Sequence, residues 1–106
     1  MAKTSPTQRS KAHYEKLGYV VAIVEHWNPF AMIRQDMFGI IDLVVIGGSQ
    51  TIGVQTTSYS NVPARVNKIT ASPMTQLLRD CNWQLVVHGW KKGKDGKWMV
   101  REVDLS

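Results

Sequence analysis

The chain has little cysteine, few acidic residues and no long apolar run, and each shortage excludes a class of protein. Its 106 residues include one cysteine, Cys81. A single cysteine excludes an internal disulfide framework and a zinc site built from several cysteines, and it predicts a reducing compartment with Cys81 as a core-packing residue. No apolar run approaches the roughly 20 residues that span a bilayer, and no N-terminal segment resembles a secretory signal. We therefore expect a cytoplasmic protein without a membrane span.

The shortage of acidic residues leaves the chain basic. Eight Asp and Glu stand against 13 Lys and Arg, which gives a formal charge of +5. Residues 1–18 carry +3 and residues 88–101 carry +4, whereas residues 19–87 balance at zero. If the fold brings the two basic ends together, they form a patch that can hold a phosphate backbone. The alternative is a scatter of solvated surface lysines.

Helix and strand signals alternate along a chain long enough for one domain, residues 1–106. The pattern predicts helices over residues 7–17, 61–70 and 72–80, a loop over residues 26–37, and strands over residues 19–24, 38–46, 51–57, 83–88 and 98–103. Strands that meet both as hairpins and across helices form a mixed sheet. The sequence therefore predicts an α/β fold with a mixed central sheet flanked by helices.

Asp42 interrupts an otherwise apolar predicted strand, where an unpaired carboxylate is costly to bury. A turn centred between Gly48 and Ser49 pairs Asp42 with Gln55 across the hairpin, and Ile40 with Thr57. Asp42, Gln55 and, diagonally, Thr57 would then form one polar cluster.

Two interpretations of this cluster remain open. A carboxylate and an amide oxygen suit a hard divalent cation such as Mg²⁺. The alternative is a structural Asp42 whose hydrogen bonds to Gln55 and Thr57 satisfy it.

The order of elements and the spacing from residues 34–42 to residues 54–57 resemble the PD-(D/E)XK nuclease superfamily, particularly its small Holliday-junction-resolvase-like and phage-encoded members. The resemblance implies a restriction-endonuclease-like core of order αβββαβ and a Mg²⁺ or Mn²⁺ cofactor. It makes Asp42 a metal ligand and matches the first-helix acid of many members to Glu15. The acid of the family triplet falls on Gln55, which can still offer a carbonyl oxygen to the metal, and its lysine falls on Thr57.

Thr57 cannot replace a lysine as a stabiliser of charge. Some members of the family carry that lysine on the following helix, where this sequence has Lys68, with Arg65 nearby. The resemblance then implies that Lys68 stabilises the phosphorane while Asp42 and Gln55 hold Mg²⁺. The alternative for Arg65 and Lys68 is a solvated helix face.

Further basic residues are candidates for DNA contact. Arg34 precedes the Asp42 strand and can touch phosphate with Asp36 orienting it, or the two can simply pair with each other. Lys91 and Lys92 follow Trp90 at a strand end, a combination of cations and aromatic rings found in nucleic-acid binders.

Three functions follow from these residues. The first is a metal-dependent DNA endonuclease, a homodimer with branched or structured DNA as its candidate substrate. The second is a catalytically inactive nucleic-acid-binding module on the same fold, in which Gln55 and Thr57 mark a decayed site. The third is a basic adaptor or inhibitor that binds an acidic protein.

Overall fold

The fold is built on a five-stranded mixed sheet with helices on both faces. The computed structural model describes residues 4–106, so the basic residue Lys3 lies outside the described part. The helices are α1 (Pro6–Lys16), α2 (Val62–Ala71) and α3 (Met74–Asp80), and a single 3-10 turn, Tyr59–Asn61, precedes α2. The strands are β1 (Val20–Ile23), β2 (His26–Asn28), β3 (Ile33–Gln35), β4 (Leu43–Gly47), β5 (Gln50–Ser58), β6 (Trp83–Lys92) and β7 (Trp98–Asp104).

The sheet has the order β1-β4-β5-β6-β7, and β2 and β3 form a separate two-stranded sheet. Neighbouring strands of the larger sheet are antiparallel except β5 and β6, which are parallel. Parallel neighbours need a crossover connection, and α2 and α3 provide it. The predicted α/β class with a mixed sheet is confirmed.

Alternation along the strands divides the core into two layers. Leu43, Val45 and Val54 face α1, where they pack with Tyr14. Leu85 and Val87 face the opposite way, and they pack in the second cluster with residues of α2 and α3. Because successive side chains of a strand point to opposite faces, these continuous apolar runs fill both layers at once.

Local signals fix the ends of α1. The Ser5 hydroxyl accepts a hydrogen bond from the Gln8 amide at 3.1 Å, and Pro6 occupies the first turn. Beyond the helix, Gly18 adopts a φ of +91°, a conformation that glycine reaches without steric cost. The predicted first helix is confirmed, with its N-terminus set by a serine cap followed by proline.

The loop predicted over residues 26–37 is wrong, because the structure has the β2–β3 hairpin there. His26 pairs with Gln35 and Trp27 pairs with Arg34. At the turn, the Asn28 side-chain oxygen accepts hydrogen bonds from the amides of Phe30 and Ala31. Such an Asx turn reverses the chain without the glycine pair that usually marks a hairpin in a sequence.

The strand predicted over residues 38–46 begins later, at Leu43. Phe38 and Gly39 both have positive φ, +55° and +75°, and the Gly39 amide donates to the Asp36 carbonyl at 2.9 Å. This turn interrupts the run, so the predicted pairing of Ile40 with Thr57 is wrong. The predicted pairing of Ile46 with Thr51 is confirmed. Ile40 is nevertheless buried, which explains why the segment resembles a strand in the sequence.

Two further features concern the surface. Cys81 is exposed at the end of α3, so its predicted role in core packing is wrong. Among residues 4–106, no helix is both long enough and apolar enough to cross a membrane.

Candidate metal and phosphate site

An open cleft of about 660 Å³ lies where β5 ends and α2 begins. The start of α1 and the segments after β1 and β3 complete its walls. Polar and charged side chains line most of it: Thr7, Glu25, Arg34, Asp36, Asp42, Gln55, Thr56, Thr57, Arg65 and Lys68. A cleft of this composition suits a charged ligand better than an apolar one.

Three carboxylates converge in this cleft. Oxygens of Glu25, Asp36 and Asp42 all lie within 4.8 Å of one another. Glu25 follows β1, Asp36 follows β3 and Asp42 immediately precedes β4, so three separate segments supply them. Since β1 and β4 are antiparallel neighbours, β1 ends where β4 begins, at the same end of the sheet. The topology therefore brings these acids together.

The Asp42 carboxylate is held at its place by β5. Its Oδ2 atom accepts hydrogen bonds from the Gln55 Nε2 at 2.5 Å, the Thr56 amide at 2.8 Å and the Thr56 hydroxyl at 3.1 Å. The predicted contact between Asp42 and Gln55 is confirmed. The predicted third member of the cluster is not: Thr56, and not Thr57, bonds to Asp42. Asp42 precedes the first residue of β4, and its carboxylate contacts two successive residues of β5, whose side chains point to opposite faces.

Gln55 and Lys68 connect the acids to α2. The Gln55 Nε2 also lies 3.3 Å from Asp36 Oδ2. Lys68 Nζ lies 3.2 Å from the same Asp36 oxygen and 3.5 Å from Gln55 Oε1. Lys68 thus points into the cleft. The amide nitrogen of Gln55 faces the acids, so its carbonyl oxygen meets Lys68 and does not meet the carboxylate cluster.

The pKa values of Asp42 and Asp36 are shifted in opposite directions. Burial, together with the neighbouring Asp36 carboxylate, raises the pKa of Asp42 to about 8. Burial also acts on Asp36, but hydrogen bonds from Asp42 and Lys68 outweigh it and hold the pKa of Asp36 below its ordinary value. Two carboxylates that share a site cannot both ionise freely. The cluster therefore holds a proton near neutral pH in the absence of a cation.

We expect the metal-free protein to lose stability as pH rises from about 4 to about 8. The folded protein keeps a proton on Asp42 that the unfolded chain releases near pH 4, so this contribution is complete below the unfolded pKa and disappears as pH rises through the folded pKa. Other groups titrate as well, so the measurement is the difference between the unfolding free energies of the wild type and Asp42→Asn in chelator. If that difference is flat across this range, Asp42 does not hold the proton.

The other predicted site residues divide between the cleft and the remaining surface. Arg34 pairs with Glu25 at 3.7 Å and not with Asp36, which rules out their predicted mutual pair. Arg65 and Thr57 line the cleft. Glu15 lies outside it, on the exposed side of α1, where it pairs with Lys11 at 3.0 Å. The structure therefore does not bring the helix-one acid to Asp42, because that side of α1 faces away from the sheet. Lys91 and Lys92 lie beyond the cleft on β6.

Sequence reasoning missed Glu25 as a site residue and gave Asp36 only a supporting role. Glu25 directly follows the apolar strand run that ends at Val24. The carboxyl ends of strands are positions where ligand-binding residues commonly lie. The Val24 amide donates a hydrogen bond to the Asp42 carbonyl at 2.9 Å. This backbone contact brings Glu25, the next residue, close to Asp42. Asp36 carried no such signal, because its position depends on the unpredicted β2–β3 hairpin.

A second group with metal-ligand atoms, His13, His88 and Glu102, lies between α1 and the β6–β7 pair. His88 is fully buried, with Nδ1 3.0 Å from the Ser10 hydroxyl and Nε2 2.9 Å from Glu102. Burial lowers the pKa of His88, although Glu102 opposes the shift. Both ring nitrogens have partners, so the imidazole is satisfied as a neutral structural group.

The cleft thus combines three acids, one lysine and two arginines at one end of the sheet. Comparisons of the chain with protein-family models, with curated proteins and with solved structures gave no match.

Proposed function

We propose that the chain is a metal-dependent DNA endonuclease with a restriction-endonuclease-like core. The αβββαβ order supports this proposal if the β2–β3 hairpin is counted as an insertion between the first two strands of the larger sheet. In that sheet β1, β4 and β5 form an antiparallel meander, and α2 and α3 lead to the parallel strand β6. The proposal also includes a homodimer.

The observation that carries the proposal is the convergence of Glu25, Asp36 and Asp42 beside Lys68 in an open cleft. Asp36 supplies the negative charge that Gln55 lacks at the triplet position. Three acids and one lysine thus occupy a small volume although neither Gln55 nor Thr57 fits the (D/E)XK pattern. This is the charge content that phosphodiester hydrolysis needs: anionic ligands for a cation and a fixed positive charge for the phosphate.

The residues fit Mg²⁺ or Mn²⁺. Both are hard cations that prefer oxygen ligands, and the cluster offers three carboxylates. Burial and the neighbouring Asp36 carboxylate raise the pKa of Asp42, and a bound divalent cation would favour the ionised carboxylate. When bound, such an ion activates water and polarises a phosphoryl oxygen.

The chain's own residues supply the remaining roles. Lys68 is close enough to the acids to contact a phosphate bound beside them, where it stabilises developing negative charge. Arg65 and Arg34 line the same cleft and hold the neighbouring phosphates. Gln55 keeps Asp36 and Asp42 at a fixed distance through its amide.

Replacing Lys68 by alanine tests the proposal. Supercoiled, single-stranded and four-way-junction DNA are incubated with the wild type in Mg²⁺, in Mn²⁺ and in chelator. We expect cleavage that requires the metal and that falls roughly 10²-fold to 10³-fold in Lys68→Ala, since a positive charge next to the reacting phosphate is lost. Lys11→Ala, which removes a lysine paired with Glu15 on the far side of α1, is the matched control and is expected to cut normally.

Two outcomes would contradict the nuclease. Wild type that cuts none of these substrates in either metal is not an endonuclease of this kind, and a Lys68→Ala protein that cuts at the wild-type rate shows that the cleft is not its site. The second candidate, a silent nucleic-acid-binding module, is favoured by one observation: the Gln55 amide already bridges Asp36 and Asp42 without a cation. DNA binding without cleavage would support it.

A further inference from the structure

The end of the sheet that carries the cleft also carries a projecting two-stranded ribbon. Strand β6 pairs with β5 only as far as Trp90, which lies opposite Ser58. Beyond that point Lys91 and Lys92 pair with Met99 and Trp98 of β7 alone. We call residues 90–100 the β6–β7 ribbon. Because β5 and β6 are parallel, the ribbon extends beyond the same end of the sheet at which β5 carries its cleft residues.

The ribbon and its base are strongly basic. Residues 88–101 carry +4, from Lys91, Lys92, Lys94, Lys97 and Arg101 against one acid, Asp95. All five cations are exposed. The single acid is engaged in the turn, where its side chain accepts a hydrogen bond from the Lys97 amide at 3.0 Å. The positive charge of the ribbon is therefore free to meet a polyanion.

The cations occupy both faces of the ribbon, and aromatic rings hold them there. On one face Lys91 Nζ lies 4.2 Å from the centre of the Tyr59 ring, and Arg101 Cζ lies 5.9 Å from it. Neighbouring residues of a strand point to opposite sides, so Lys92 projects from the other face. There Lys92 Nζ lies 5.9 Å from the centre of the Trp98 ring.

The Trp98 ring also contacts α1. Arg9 Cζ lies 3.3 Å from its centre, and Lys92 is the second cation near the same ring. Arg9 thus lies over the Trp98 ring and Lys91 over the Tyr59 ring, and cation–π attraction holds both in place. Bases of a single strand that stacked on these two ring faces would have to displace the cations.

We propose that the β6–β7 ribbon enters the major groove of duplex DNA and that its two faces contact the two phosphate backbones. The major groove of B-form DNA is about 12 Å wide and admits a two-stranded ribbon, whereas the major groove of an RNA duplex is too narrow for side chains. Cations on both faces suit a groove, which has a phosphate backbone on either side. The inference rests on the proposed function, because it describes how the DNA bound at the cleft continues along the protein.

Removing one cation from each face tests the ribbon. Binding of a labelled duplex and of a single strand of equal length is measured by fluorescence anisotropy in chelator across a series of salt concentrations. We expect the wild type to prefer the duplex. In Lys91→Gln/Lys92→Gln the plot of the log of the association constant against log salt should become less steep by about 2, one for each lost phosphate contact. Binding should be weaker at every salt concentration.

The matched control is Lys11→Gln/Lys16→Gln, which removes two charges from α1, one half-buried and one exposed, and should leave the slope unchanged. Circular dichroism checks that both variants are folded, and Lys94→Gln/Lys97→Gln at the turn provides a second ribbon variant that disturbs no aromatic contact. An unchanged slope in both ribbon variants, an equal loss in the α1 control, or a wild type that prefers the single strand would overturn the groove assignment. Because chelator prevents cleavage, this experiment gives the same answer whether or not the protein is a nuclease.

Discussion

Asp42→Asn is expected to lose DNA cleavage and at the same time to gain stability. Cleavage in Mg²⁺ or Mn²⁺ should fall by roughly 10³-fold, because the substitution removes the charge of the most buried of the three acids that would hold the cation. In chelator the melting temperature should rise by roughly 4–8 °C, the shift that about 1 kcal/mol produces in a domain of this size.

The gain in stability has a direct cause. Asp42 is 2% exposed and lies beside Asp36, so the folded state has to tolerate a buried proton or a buried repulsion. An asparagine keeps an oxygen for the bonds from Gln55 and Thr56 and presents an amide to Asp36. Functional sites commonly hold such a conflict at the expense of stability.

Thermal unfolding with and without Mn²⁺ measures both parts of this prediction. Mn²⁺ should raise the melting temperature of the wild type, since a ligand that binds only the folded state stabilises it, and should leave Asp42→Asn unchanged. Asp80→Asn, which alters an exposed carboxylate on α3, is the control and should match the wild type in cleavage and melting. An Asp42→Asn protein that melts at or below the wild-type temperature in chelator would refute the repulsion, and one that still cuts would refute the site.

Gly89→Ala is expected to give the largest loss of stability. A Cβ at Gly89 would overlap Val62 Cγ2 and would lie 3.1 Å from Tyr59 Cα and 3.2 Å from the Ser58 carbonyl oxygen. Two of these three atoms belong to the backbone, which cannot move aside locally, and the third belongs to the short, fully buried side chain of Val62. Overpacking of this kind costs about 3 kcal/mol. The melting temperature should fall by roughly 15 °C.

Gly53→Ala is the matched control in the neighbouring strand. The atoms nearest to a Cβ there belong to the ends of the Ile41 and Leu85 side chains, which can adjust. We expect its melting temperature to fall by less than half as much. A Gly89→Ala protein that melts within a few degrees of the wild type would show that α2 can move away from β6.

The contact between Asp42 and Gln55 could be predicted from the sequence because it depends on local rules. The turn at Gly48 and Ser49 fixes the pairing of Ile46 with Thr51, and counting along the two strands leads to Asp42 and Gln55. The helices carry similar local signals, such as Ser5 and Pro6 before α1.

The rest of the site depends on contacts that no local rule describes. Phe38 and Gly39 turn the chain within an apolar segment, so β4 begins only at Leu43, and Asp42 before it bonds to Thr56 and not to Thr57. Asp36 reaches the cluster through a hairpin whose sequence lacks the alternation typical of strands. The convergence of acids from three segments depends on tertiary structure, so it could not be predicted from their spacing along the chain.

The separate β2–β3 hairpin therefore positions two charged side chains of the cleft, one of each sign. It belongs to a different sheet from the strands around it, and Trp27, Phe30 and Ile33 are at least half exposed, so little burial supports it. Two-stranded hairpins of this kind are marginally stable by themselves. Yet Arg34 lies on β3 and Asp36 follows it directly. Local opening of the hairpin would remove both residues from the cleft while the five-stranded sheet stayed folded, so the affinity of the proposed cation site would depend on the closing of one small hairpin.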